Sequence, residues 1–143
     1  MTPYTATTSL GTGYKAMRIA YFVLACIIVA TIAAQVFLAG LNVFLLPQWW
    51  GVHIQLGHAI GLLIMLLVVL AVIGRLPRRV RWISVLLLVL FGLQYNFRAI
   101  AALVHLPQIA ALHAVNALVL FWLALSLARS AWRIVRTSST KGS

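Results

Sequence analysis

Four long apolar runs, separated by short polar breaks, dominate the chain. They extend from about Met17 to Leu45, Val52 to Gly74, Trp82 to His105 and Pro107 to Arg133. Each exceeds the roughly 20 residues an α-helix needs to cross hydrocarbon. A backbone in lipid must satisfy its own hydrogen bonds, so runs of this length are predicted as helices. The first is too long for a signal-peptide core and has no small-residue cleavage motif after it, so it reads as a retained helix. Pro47 ends the first run. Pro107 opens the fourth, at a first-turn position where its missing N–H costs nothing. The pattern predicts an all-α integral membrane protein with an up-down-up-down bundle of four transmembrane helices over residues 15–136. A polar, poorly ordered segment at 1–14 and a polar tail at 137–143 are expected to flank it.

Charge orients the bundle. Eleven Lys and Arg and no Asp or Glu give a net charge of +11 in 143 residues. In a soluble protein that balance would point to nucleic acid. Here the cations lie mostly between or beyond the apolar runs, so lipid is the expected partner and nucleic acid is not. Lys15 and Arg18 precede the first run, Arg75, Arg78, Arg79 and Arg81 fill the second break, and Arg129, Arg133, Arg136 and Lys141 close the chain. The first and third breaks carry none. The positive-inside rule then predicts both termini in the cytoplasm, in a bacterial cytoplasmic membrane. Without carboxylates there is no acid/base pair, no acidic cage for a hard metal and no side-chain salt bridge. Lone Cys26 rules out an internal disulfide.

The candidate chemistry lies in four histidines, His53, His58, His105 and His113, all in the outer half of the predicted bundle. His58 and His113 fall inside the second and fourth spans, roughly 10 Å below the outer boundary. In an up-down-up-down bundle those helices are diagonal neighbours, roughly 14 Å apart. That gap is too wide for a direct hydrogen bond and suits two imidazoles reaching a single central metal. A haem iron with two axial histidines fits it. Gly57 and Gly61 flank His58, and Ala110 and Ala117 flank His113, leaving room for a flat macrocycle; the same small residues also suit close helix packing. His53 and His105, at helix ends, read as interfacial residues with a secondary role at most. Arg98 is the one cation deep inside a span. It has no carboxylate partner in the chain, and a haem propionate or a lipid phosphate would supply one. Gln94, one turn deeper, could join the same cluster.

With these residues placed, the chain resembles one four-helix half of the haem A synthase family, over most of residues 30–125. The stretches that carry the likeness are QVFLAGLNVF with Gln35 and Gly40, QLGHAIG around His58, and VHLPQIAALHAVNALVLF around His113. It is also similar to small bacterial four-helix membrane proteins of like length. The resemblance implies non-covalent haem b bound by His58 and His113. The family's catalytic half carries a glutamate three places before the second-helix histidine and an arginine just after it. Here Gln55 and Ala59 stand in those places, which argues against that family's methyl-group oxidation.

The expectation is therefore a small membrane b-type cytochrome holding one haem, for electron transfer or as a haem-carrying subunit of a larger membrane complex or homodimer. Two axial imidazoles disfavour oxygen activation at the iron. The rival reading is a cofactor-free structural or assembly subunit whose histidines tie helices together. A third, a transporter or copper-handling protein, is weakened by the lack of Met or Cys near the histidines.

Overall fold

The computed structural model describes residues 7–139 of the chain. Four α-helices make up nearly all of it: α1 (Thr7–Phe44), α2 (Trp49–Ile73), α3 (Arg78–Leu103) and α4 (Leu112–Ser139), with a short 3₁₀ turn (Pro107–Ala111) leading into α4. All four are long and apolar enough to cross a membrane, so the chain is a multi-pass membrane protein. The helices pack as a square. α1 adjoins α2 and α4, α3 adjoins the same two, and neither diagonal pair comes into backbone contact among the described residues.

The elements match the predicted runs apart from their ends; α3 starts at Arg78 instead of Trp82, and α4 runs on to Ser139, past Arg133 and into the first residues of the tail expected at 137–143. α1 begins at Thr7 instead of near Met17, so residues 7–14 of the segment expected to be poorly ordered are helical. Extending an established helix adds one hydrogen bond for each residue fixed, so a polar stretch can continue it. Residues 1–6 and 140–143 lie outside the described residues. α2 starts at Trp49, drawing both tryptophans of the first break into its opening turn. α4 starts as a 3₁₀ turn from Pro107, and Ile109 N–H bonds to Leu106 C=O across it.

Each helix turns one stripe inward. On α2 the buried residues are Ile60, Ile64, Leu67 and Ala71, spaced by three or four positions. Tyr21, Ala25, Ile28 and Ile32 from α1 meet them, with Leu87 and Phe91 from α3 and Leu120, Leu123, Ala124 and Leu127 from α4. The outward faces carry Val36, Phe37, Leu62, Leu66, Val69, Val89, Leu118 and Trp122, which are open to the surroundings as lipid requires. Near the basic end the apolar core holds one polar lock across the α1–α3 diagonal. The Tyr21 hydroxyl donates to Ser84 Oγ at 2.8 Å, and Ser84 donates to Val80 C=O at 2.9 Å. Tyr21→Phe keeps the ring and removes that bond. It is expected to cost about 1 kcal/mol of stability, measured by reversible unfolding in detergent.

Among the described residues, every Lys and Arg except Arg98 sits at this end of the bundle. Arg18 Nε donates to Gly74 C=O at 3.4 Å, and the Arg75 guanidinium lies over the Tyr14 ring at 4.9 Å.

Candidate functional site

The inward stripes change character along the bundle. In the basic half they are apolar apart from Tyr21 and Ser84. In the opposite half the same stripes continue as Gln35 on α1, His53 on α2, Gln94 on α3, and His113 and Asn116 on α4. Gln35 lies three positions beyond buried Ile32, and His53 lies seven before buried Ile60. His113 lies seven before buried Leu120, and Gln94 three after buried Phe91. Helical periodicity alone therefore turns these polar groups toward the axis.

Two of them meet at the centre. The imidazoles of His53 and His113 reach in from diagonal helices, and their ring centroids are 6.4 Å apart, tilted 44°. Both are held in the same way. His53 Nδ1 donates to Gln35 C=O at 3.2 Å, and His113 Nδ1 donates to Gln94 C=O at 3.2 Å. In return Gln35 Nε2 donates to His53 C=O at 2.9 Å, and Gln94 Nε2 donates to His113 C=O at 2.8 Å. A carbonyl can only accept, so each Nδ1 carries the proton and each Nε2 keeps its lone pair. The indole of Trp50 stacks on His53 at 5.0 Å and 8°.

The pairing predicted from sequence was His58 with His113. The structure instead turns His58 away from the axis. Its Nδ1 lies 3.2 Å from the Tyr95 hydroxyl on the outer α2–α3 surface, and the two rings are within 10° of parallel. The reason is angular. His58 precedes inward-facing Ile60 by two residues, a rotation of about 200°. The α2 histidine that meets His113 across the diagonal is His53.

The small residues near His58 are also filled by protein. A Cβ on Gly61 would stand 3.0 Å from the Phe91 ring, and one on Gly57 would stand 3.0 Å from Gln35 Nε2. Gly61 thus makes room for Phe91, and Gly57 for the Gln35 amide that holds His53. Ala110 and Ala117, beside His113, are half-buried. Gln55 and Ala59 face outward. Arg98 and His105 line an open cleft of about 450 Å³ with Ala101, Ala102, Pro107 and Ala110. His105 adopts a left-handed backbone (φ 54°) just after α3, where Leu106 N–H bonds back to Ala101 C=O at 3.0 Å.

Two site residues escaped the sequence reading. His53 was set aside as interfacial, and Asn116 went unremarked. A signal for the first is present: LPQWWGVH at 46–53 and LPQIAALH at 106–113 share Leu-Pro-Gln and a histidine five places later, 60 residues apart. The shared motif opens the second helix of each hairpin and pairs His53 with His113. One residue that braces the second histidine has no like counterpart in the first hairpin. Asn116 Nδ2 donates to Leu90 C=O at 2.8 Å and to Gln94 Oε1. Its counterpart, 60 residues earlier, is Leu56. In the first hairpin Gln35 Oε1 is accordingly buried without a partner, as is Asn42 Oδ1 on the same helix.

Fold and site together define a four-span membrane bundle with a pre-oriented pair of histidines at its centre. Residues 35–102 match a family of unknown function, DUF6220. The matched stretch takes in Gln35, His53, His58 and Gln94 and stops short of His113. No curated protein and no solved structure matches the chain.

Proposed function

We propose that the protein is a small membrane b-type cytochrome, with His53 and His113 as axial ligands to one non-covalent haem b. The observation that carries this is the spacing and pinning of the two rings. With metal–nitrogen bonds of about 2 Å and a little over 1 Å from ring centre to Nε2, two imidazoles on opposite sides of one ion have centroids about 6.3 Å apart. The observed 6.4 Å is that distance. Anchoring Nδ1 to a carbonyl is how a ligating histidine is ordinarily oriented. Only two histidines converge, and no group of three or more metal-binding side chains exists among the described residues. Two protein donors are too few for a zinc-type site and enough for an iron whose other four ligands come from a macrocycle. Buried Gln35 Oε1 and Asn42 Oδ1 leave that end of the bundle short of hydrogen-bond donors, as expected where a ligand or water completes the site.

A haem ligated in this way supplies one-electron transfer. The residues around it hold it and set its potential. Arg98 lies one turn beyond Gln94, and Ala110, one turn before His113, lines the cleft Arg98 shares with His105. This cleft suits propionates, with Arg98 as their charge-assisted donor. Arg98→Leu is expected to weaken haem retention and lower the reduction potential, because losing a nearby cation favours the ferric state. Unchanged occupancy and potential in a redox titration would assign Arg98 to lipid phosphate. With Gln55 exposed and no carboxylate in the chain, haem A synthase-type oxidation is not expected. Expression in a strain lacking that enzyme should leave haem A undetectable.

The basic end of the bundle is proposed to face the cytoplasm, with both termini there. Cysteines placed at Trp50 and Leu106 should label from outside, and one at Arg78 only from inside. Labelling of positions 50 and 78 from one side would refute the orientation and the spans together. The function itself is tested by a pyridine haemochrome assay on protein purified from haem-replete cells. The expected result is one haem b per chain. Folded protein without haem would favour the cofactor-free assembly subunit.

A further inference from the structure

His58 and Tyr95 form a polar pair where lipid should be. His58 is exposed and Tyr95 is 51% exposed, both on the outer surface of the α2–α3 groove. His58 lies nine residues into α2, about 13 Å from the start of that helix, so the pair sits well inside the hydrocarbon. Polar side chains at that depth are costly to keep. These two do not bury themselves in the bundle; they bond to each other across the groove at 3.2 Å. One hydrogen bond joins Nδ1 and the phenol oxygen. It leaves His58 Nε2 and a phenol lone pair unspent.

The setting is aromatic and shaped. The two rings stack, parallel within 10° with centroids 5.7 Å apart, and Phe91 stands edge-on to Tyr95 at 5.6 Å. At Gly57 a Cβ would make ordinary contact with the Tyr95 oxygen at 3.7 Å and would crowd Gln35 Nε2 at 3.0 Å. The groove is thus one residue removed from the amide that holds His53.

We infer that the His58–Tyr95 pair is a docking site for a lipid-soluble quinone, in its oxidised or hydroquinone form. The ligand must arrive through the bilayer, because water-soluble molecules do not reach this depth. It must be uncharged, since it reaches the pair through hydrocarbon. It must carry oxygen atoms on a flat ring, to stack on the aromatic face and to use the free nitrogen and the phenol oxygen. Phospholipid ester groups lie too near the interface to reach it. The inference stands apart from the haem reading, because the pair shares no side chain with the His53–His113 centre.

The test is photolabelling of the purified protein in phosphatidylcholine nanodiscs with an azidoquinone, in haem-loaded and haem-free samples. Label is expected in the peptides carrying His58 and Tyr95, and excess decylubiquinone should compete it away. It should fall at least tenfold in His58→Leu and severalfold in Tyr95→Phe, which keeps the ring and removes the hydroxyl. The same pattern is expected with and without haem. Label spread evenly over all four helices, label that decylubiquinone does not reduce, or variants that label like the wild type would overturn the proposal. So would efficient disulfide crosslinking between two copies through cysteines at 58 and 95, which would show that a second chain covers the pair.

Discussion

His53→Ala and His113→Ala are each expected to abolish stable haem binding, while His58→Ala retains it. The prediction separates the structure from the sequence reading, which paired His58 with His113. Removing either central imidazole takes away one of the two proposed protein ligands to the iron. It also leaves a Gln carbonyl at the α1–α2 or α3–α4 contact without its donor. Both effects act on the same site, so the loss should be near complete. His58 lies on the far side of α2, bonded to Tyr95, and its removal leaves both rings and both Gln anchors in place. The measurement is haem content per folded chain after size exclusion. Retention in His53→Ala with loss in His58→Ala would reverse the assignment. A His53→Cys or His113→Met variant that keeps haem with a changed spectrum would show that these positions face the iron.

Gln94→Leu is expected to weaken haem binding by about 10- to 100-fold, the range typical when a residue that orients a metal ligand is removed. Gln94 joins three groups. Its backbone carbonyl accepts from His113 Nδ1, its amide donates to His113 C=O at 2.8 Å, and its oxygen accepts from Asn116. Leucine keeps the first bond and deletes the other two, so His113 stays present but loosely aimed. Gln35→Leu should cost less, because Gln35 Oε1 has no partner to lose. Haem titration into the apo forms of the two variants gives the comparison. Equal effects would mean that Asn116 adds nothing to the alignment of His113. The complementary change, Leu56→Asn, copies the second hairpin into the first and offers Gln35 Oε1 the donor it lacks.

The spans and the bundle were legible because each rests on strong, one-dimensional signals. Apolar runs beyond 20 residues leave the backbone one choice, and the Arg clusters mark one end. The diagonal geometry was legible too, since four alternating helices put α2 opposite α4. What misled was facing. Depth made His58 and His113 look like partners, but depth does not say which way a side chain turns. The inward stripe Ile60, Ile64, Leu67, Ala71, run back by seven, lands on His53 and passes His58 on the far side. The repeated LPQ-x₄-H motif carried the same information. The glycines beside His58 invited a macrocycle, yet in the fold they admit Phe91 and Gln35. Asn116 could not be found from motif spacing, because it belongs to only one of the two hairpins.

The central claim is that His53 and His113 face each other across a single iron. Electron paramagnetic resonance of the ferric protein, purified without added ligand, tests it most directly. The account predicts a low-spin signal characteristic of two imidazole ligands, present in the wild type and in His58→Ala. A high-spin signal in the wild type, or no haem signal from folded protein, would contradict it.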